Sequence, residues 1–331
     1  MLTPHPSMSR IRRLLHAVAI VAVATVASFV LLRVAPGDPL LASTAQPGLS
    51  AAAHAELRAR HGLDRPLPAQ VVAYSAALVR GDLGLSIVEQ RPVAAVLAEA
   101  LPATLVLSGA GLGLAIVVGL AAGTLQGWRP HDRLAAVVGS ALTLLYALPE
   151  VVVGVALLAL LGLRMGVFPV GGMADPLVEL MGGPGARLRD LVWHLALPSL
   201  TLALAWGAAL ARQQRSAMRE IAGEDFVRTA RAKGARPAAV WARHAMRPTL
   251  PGAVALIGTM LPVLAGGTVI VEMLFSWPGM GSLIVRGVAA RDYPLVAGAV
   301  IVVGTVIALG TLLADLVVLA LDPRVRDGAS R

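Results

Sequence analysis

The chain has no cysteine and a single lysine, Lys233, among its 331 residues. Without cysteine there are no disulfides, no thiolate metal sites and no cysteine nucleophile. A phosphate-binding loop G-x-x-x-x-G-K-[ST] is excluded as well, because Lys233 follows Ala232 and precedes Gly234. Phe, Trp and Tyr together number 12, too few for the stacking platforms that hold single-stranded nucleic acid. Charge is scarce: Asp, Glu, Lys and Arg make up 14% of residues, against roughly a quarter in ordinary soluble domains. The seven histidines offer no i, i+4 metal pair, and no G-x-S-x-G elbow occurs. Covalent catalysis, ATP hydrolysis by this chain and a soluble multidomain enzyme are therefore not expected.

What is present is apolar surface: 57% of residues are hydrophobic and the mean hydropathy is +0.76. A membrane-spanning helix needs about 20 mostly apolar residues. Six runs approach or exceed that length, at 14–32, 102–126, 134–163, 193–211, 251–275 and 294–321. They predict an all-α membrane protein with six transmembrane helices. The first run follows Arg10, Arg12 and Arg13 and exceeds the apolar core of about 7–15 residues found in cleaved signal peptides, so it reads as a retained span. Pro149, Pro198 and Pro262 fall inside runs, where neighbouring helices satisfy the freed carbonyls. Gly109, Gly111 and Gly113, and the G-x-x-x-G pair Gly119 and Gly123, lie in the second run and predict close helix packing rather than a nucleotide site.

Orientation follows from arginine and lysine in the connections. Segments 1–13, 127–133, 212–247 and 322–331 carry 17 basic and 6 acidic residues, whereas 33–101, 164–192 and 276–293 carry 11 and 10. The first set is predicted to face the cytoplasm, with both termini inside. The net charge of +9 is thereby explained by membrane topology, without nucleic acid.

In the outside segment 33–101, Ser50 predicts the cap of a helix ended by Gly62, and Pro66 opens another that stops before Gly81. Its Leu67, Val71, Tyr74 and Leu78 form one stripe, which either packs on the protein's own spans or docks an outside partner. The inside segment 212–247 is too polar to span and too long for a tight turn. Glu224 and Asp225 suit a helix start, Ala230 and Ala232 keep that helix slim, and Gly234 suits a C-terminal cap with positive φ. Phe226, Val227 and Ala230 predict a small apolar face, and a second helix is expected over 237–246. This layout predicts a docking surface. Glu150, Glu272 and Asp315 lie within runs. At a span's centre an ionised acid costs about 2.5–3.5 kcal/mol on insertion scales, while Arg33, Arg164 and Arg212 lie only at run ends. Glu150 is thus expected to face a cavity and meet a cationic or amine-bearing ligand, with Pro149 kinking the helix beside it. The rival reading is a self-sufficient secondary transporter or channel using these acids, whose expected inverted repeats are not evident; a membrane anchor without transport is a third.

Several stretches, in order, resemble the membrane subunits of ATP-binding-cassette importers of the oligopeptide/dipeptide (nickel) type. They are Arg33–Pro39 (RVAPGDP), Gly62–Pro68 (GLDRPLP), Gly81–Gly84 (GDLG), Leu101–Leu105 (LPATL), Glu224–Gly234, Val271-Glu272 with Phe275–Gly281 (FSWPGMG), Arg291–Pro294 (RDYP), and Asp315 with Leu321–Arg326 (LDPRVR). The resemblance implies a type I importer permease fold with a cytoplasmic coupling helix, in the cytoplasmic (inner) membrane. Glu224, Asp225, Phe226, Thr229, Ala230, Ala232, Lys233 and Gly234 would dock the ATPase, and Glu150 and Glu272 are candidates for the translocation pathway. Implied partners are a second homologous permease, two ATPase subunits that bind ATP and Mg, an external substrate-binding protein and membrane lipid; no cofactor is expected in this chain. Transport would proceed by alternating access, with peptides or a related small solute as cargo; relatives carry peptides, nickel chelates, glutathione, opines and some sugars. Two departures stand out: Pro149-Glu150-Val151 where the family has Pro-Ser and an aromatic, and Arg228-Thr229-Ala230 in place of the broader Glu-Ala-Ala, a variant normal for the peptide branch.

Overall fold

The computed structural model describes residues 19–31, 34, 56, 59, 64–260 and 268–321. Ser50, Gly62, Pro262 and both chain ends, with the expectations placed on them, lie outside the described residues. Among the described residues regular structure is helical, apart from one bridge pairing Leu85 with Pro92. In chain order the helices are α1 (Ala19–Leu31), α2 (Leu67–Val79), α3 (Val93–Trp128), α4 (Arg133–Ala147), α5 (Glu150–Leu157, continued by a π-helical turn Leu158–Arg164), α6 (Pro176–Met181), α7 (Pro184–Ala222) and α8 (Asp225–Ala232). A short helical start Pro237–Ala239 and a π-helical turn Val240–Met246 lead into α9 (Arg247–Met260), followed by α10 (Val269–Leu274), α11 (Met280–Ala289) and α12 (Tyr293–Leu321).

By length and composition, three described helices can cross a membrane: α3, α7 and α12. α4 and the Glu150–Arg164 helix are long and apolar enough only when taken together, and they meet at 114°, the geometry of a broken span or of a re-entrant loop. The single run 134–163 is therefore two helices. Pro149 lacks an N–H and forces Leu148 into extended backbone (φ −89°, ψ 138°), which ends α4. The run 193–211 is likewise only the middle of α7. Arg212–Ala222 contains neither glycine nor proline, so the 39-residue helix continues until Gly223 and spans about 58 Å, well beyond a hydrocarbon core of about 30 Å.

The described residues divide into two compact units, one of those up to Thr104 with Pro278–Ala308 and one of those from Leu105 to Trp277 with 309–321. In the first, Val93, Val96, Leu97 and Ala100 of α3 pack with Met280 and Leu283 of α11 and with Leu295 and Ala299 of α12. The α2 stripe turns inward: Val71 and Tyr74 pack against Phe29, Ile87, Tyr293 and Ala297. Of the two readings of that stripe, packing within the protein holds. The Tyr74 ring stacks on Phe29 at 4.8 Å, and burial pushes its phenol above the ordinary tyrosine range. Asp292 is fully buried and joins the loop at Ser86–Val88 to the start of α12. Its Oδ2 accepts from the Ser86 hydroxyl and from Val88 N–H (3.0 Å), and its Oδ1 accepts from Leu295 N–H (3.2 Å).

In the second unit α3 lies against α7 along glycines. A Cβ at Gly119 would stand 2.6 Å from Leu210 Cβ, one at Gly123 2.7 Å from Gln214 Cβ, and one at Gly127 2.6 Å from Met218 Cβ. Gly111 meets Leu202 in the same way, whereas nothing lies within 4 Å of a Cβ at Gly109 or Gly113. Gly123→Leu is expected to lower the thermal midpoint of the purified chain by several degrees, the overpacking costing about 1–3 kcal/mol or more. Gly113→Ala should melt like wild type, and equal midpoints for all three chains would contradict the close approach. Ala122, Leu142, Ala208 and Ala211 form the adjoining core, with Val138 and Leu145 of α4 on its edge.

Candidate functional site

The polar stretch after α7 folds back on the helix ends. Val227 and Ala230 of α8 are buried with Val240 and pack against Trp128 at the end of α3, Ile221 of α7 and Ala235. The Arg231 guanidinium lies over the Trp128 ring at 4.8 Å. Glu224 is the N-cap residue, without a side-chain cap bond, and Asp225 opens the helix. Arg228 ties the start by donating to Gly223 O (2.8 Å) and pairing with Asp225 (3.4 Å). At the other end Gly234 has φ +76°, Gly234 N–H donates to Arg231 O (3.0 Å) and Ala235 N–H to Ala230 O (3.2 Å). These paired bonds satisfy the last carbonyls of a helix that ends on a left-handed residue.

Glu224, Asp225, Phe226, Thr229, Ala232, Lys233 and Gly234 are exposed, and Ala230 faces inward. The expected apolar face of α8 is buried in part. Val227 and Ala230 are buried, whereas Phe226, at the edge of the same arc of the helix, stays 44% exposed. The eight-residue helix thus has an anchored side and a free side that bears a ring, two acids and a lysine.

The base of this element is held by a polar cluster that inspection of the sequence missed. Gln214 on α7 is fully buried, and its Nε2 donates to Thr249 Oγ1 on α9 (2.8 Å) and Thr124 Oγ1 on α3 (3.2 Å). Thr249 Oγ1 in turn donates to Met246 O (2.7 Å). Three helices and the π-helical turn after α8 therefore meet at one side chain. A glutamine within a basic stretch gives no such signal; its partners lie 90 and 35 residues away.

The two candidate pathway acids also sit in this unit. Glu150 is half-buried at the first position of α5, where the unpaired N–H groups and the helix dipole favour an anion. Among the described residues no hydrogen bond or ion pair reaches it. Glu272 is fully buried in the first turn of α10 and accepts from Thr268 Oγ1 (2.9 Å). The helices carrying the two acids pack closely, a Cβ at Gly154 of α5 standing 2.6 Å from Leu274 Cδ2 of α10. Glu272 is enclosed by protein, so only Glu150 retains an accessible side. The side chain of Asp315 is outside the described residues.

Among the described residues, a helical body with three helices long and apolar enough to cross a membrane carries a short exposed helix at the ends of α3 and α7, an architecture that suits a membrane subunit. Residues 95–327 match the family model described as binding-protein-dependent transport system inner membrane component, and residues 8–108 match that of its N-terminal region. The chain belongs to this family. It is similar to a putative peptide permease protein of Brucella suis (35% identical, covering 96% of this chain and 98% of the relative). It is also similar to the oligopeptide transport system permease protein AppB of Bacillus subtilis (33%; 95% and 98%) and the dipeptide transport system permease protein DppB of Escherichia coli (33%; 91% and 94%). Among solved structures, an inward-facing MetNI methionine ABC transporter shares the fold, with a TM-score of 0.53 at 19% identity over 69% of this chain and 96% of the other. The protein is a multi-pass inner-membrane permease component of an ATP-binding-cassette importer.

Proposed function

We propose that this permease carries peptides or closely related small solutes across the cytoplasmic membrane by alternating access, with α8 as the element that engages an ATPase partner. The observation that carries the reading is the free side of α8: an exposed helix closed at its C-terminal end by Gly234 and packed on the ends of α3 and α7 and on Val240. The names of the similar permeases support peptides as cargo. In this reading two ATPase subunits bind ATP and Mg, a second permease completes the pathway, and an external binding protein delivers cargo. Six spans place both termini and the 212–247 segment in the cytoplasm, as the arginine distribution supports. The test is reconstitution of the chain with its partner subunits in vesicles: ATP-dependent uptake of short peptides that requires the binding protein is the expected result. Uptake that ignores ATP and follows an ion gradient would instead establish a secondary transporter.

Glu150 is the pathway residue in this proposal. A peptide carries a cationic amino terminus, and a carboxylate stabilised by a helix N-terminus at the bend between α4 and α5 is suited to meet it. Glu150→Gln keeps size and hydrogen bonding while removing charge, so uptake is expected to fall about tenfold, the scale of one hydrogen bond to a charged group. Assembly and basal ATP hydrolysis should be unchanged. Unaltered uptake, or loss of the assembled complex, would return Glu150 to a structural role.

A further inference from the structure

We propose that the cleft between α4 and α7 binds the phosphate of an acidic phospholipid from the cytoplasmic leaflet. The cleft measures about 670 Å³, within the size range of small-molecule sites, and lies wholly in the second unit. Gln126, Ser140, Thr143, Arg215 and Arg219 line it, and Arg212 adjoins it in a smaller recess shared with Arg215 and Arg219. The three arginines fall at i, i+3 and i+7 on α7, on one side of the helix. Among the described residues none meets a carboxylate. Arg212 lies over the Tyr146 ring at 3.6 Å, and Arg215 reaches Gln126 Oε1 at 3.5 Å. Two guanidinium groups therefore line a cavity whose lining supplies no counter-charge, and a third adjoins it.

The opposite wall explains why there is room. Ala135, Ala136 and Gly139 of α4 face the cleft, and the Thr143 hydroxyl is turned to Gly139 O (2.8 Å). The guanidinium fork matches phosphate oxygens in pairs. The surroundings select lipid over a soluble anion: Leu134, Val137 and Leu144 on α4 are 60%, 67% and 63% exposed, so acyl chains have an apolar helix face beside the headgroup site. Basic pockets between membrane helices on the cytoplasmic side are where acidic headgroups bind. The choice of leaflet rests on the orientation proposed above; the charge and shape of the cleft do not.

The test uses the full chain in nanodiscs of phosphatidylcholine doped with phosphatidylglycerol, with lipids retained on release counted by native mass spectrometry. Wild type should retain phosphatidylglycerol selectively, and R215Q/R219Q should retain at least about tenfold less, at about a kilocalorie for each basic group. R187Q/R189Q removes the same charge from the other end of α7 and should behave as wild type. S140W fills the cleft while keeping all three arginines, and should also lose the lipid. Equal losses in R215Q/R219Q and R187Q/R189Q would reduce the effect to general surface charge and overturn the proposal, as would full retention by S140W. Displacement of the lipid by equimolar inorganic phosphate or glycerol phosphate would identify a free anion as ligand, and displacement by a dipeptide would make the cleft part of the cargo route; either result overturns the lipid assignment. Retention is read without binding protein, ATP or cargo, so failure here is distinguishable from failure of the transport reading.

Discussion

Replacing Gly234 by valine is expected to abolish transport while leaving membrane insertion and yield intact. Gly234 sits at φ +76°, where an L-residue costs about 1–2 kcal/mol and a β-branched one is a marked outlier. Space is not the obstacle, since a Cβ there meets nothing within 4 Å; the cost lies in the backbone. Relief of that strain would break the bonds from Gly234 N–H to Arg231 O and from Ala235 N–H to Ala230 O. An eight-residue helix has little intrinsic stability in water, so loss of its cap would unwind the turn that presents Thr229, Ala232 and Lys233. Uptake in reconstituted vesicles should fall more than tenfold with normal chain levels in the membrane fraction. Gly234→Asn should keep most activity, because asparagine tolerates the left-handed region. A valine variant that transports like wild type would remove the docking role from this turn.

Asp292→Ala should be the most destabilising single change in the first unit. The carboxylate is fully buried and accepts from Ser86, Val88 N–H and Leu295 N–H. Truncation strands the buried Ser86 hydroxyl and Leu295 N–H, at about 1–3 kcal/mol each, and removes the cap of α12. A loss of about 2–5 kcal/mol is expected, read as a fall of the thermal midpoint by ten degrees or so and reduced yield from membranes. Asp292→Asn should fall between the two, since its amide turns one acceptor into a donor facing donors. An alanine variant that melts with wild type would mean that the Ser86–Val88 loop and α12 are held by the apolar cluster around Ile87 and Tyr293 alone.

These two positions differ in how far the sequence announces them. Gly234 follows a slim helix with acids at its start, and a positive-φ cap can be read from that pattern. Asp292 stands out only as part of a motif, because Ser86 and Val88 lie 206 and 204 residues away. Periodicity likewise identifies the inward stripe of α2 and the glycines at 119 and 123, since both are local facts about one helix. It does not separate Gly111, which meets Leu202, from Gly109 and Gly113, which meet nothing; that depends on the rotation of α3 against α7. Hydropathy is blind to direction, so the run 134–163 reads as continuous although the chain turns by 114° within it. Gln214 and the arginines around the α4–α7 cleft acquire meaning only when other helices are placed beside them.

The length of α7 has a mechanical consequence. Pro198 inside it deprives the His194 carbonyl of its helical partner and is the most compliant point along the rod. The arm from Pro198 to Ala222 is about 36 Å long and the arm back to Pro184 about 21 Å. A pivot there would make the helix a lever of unequal arms. Because α8 follows Ala222 after only Gly223 and Glu224, a push of about 3 Å at α8 would become a swing of less than 2 Å at the far end, with the force raised in proportion.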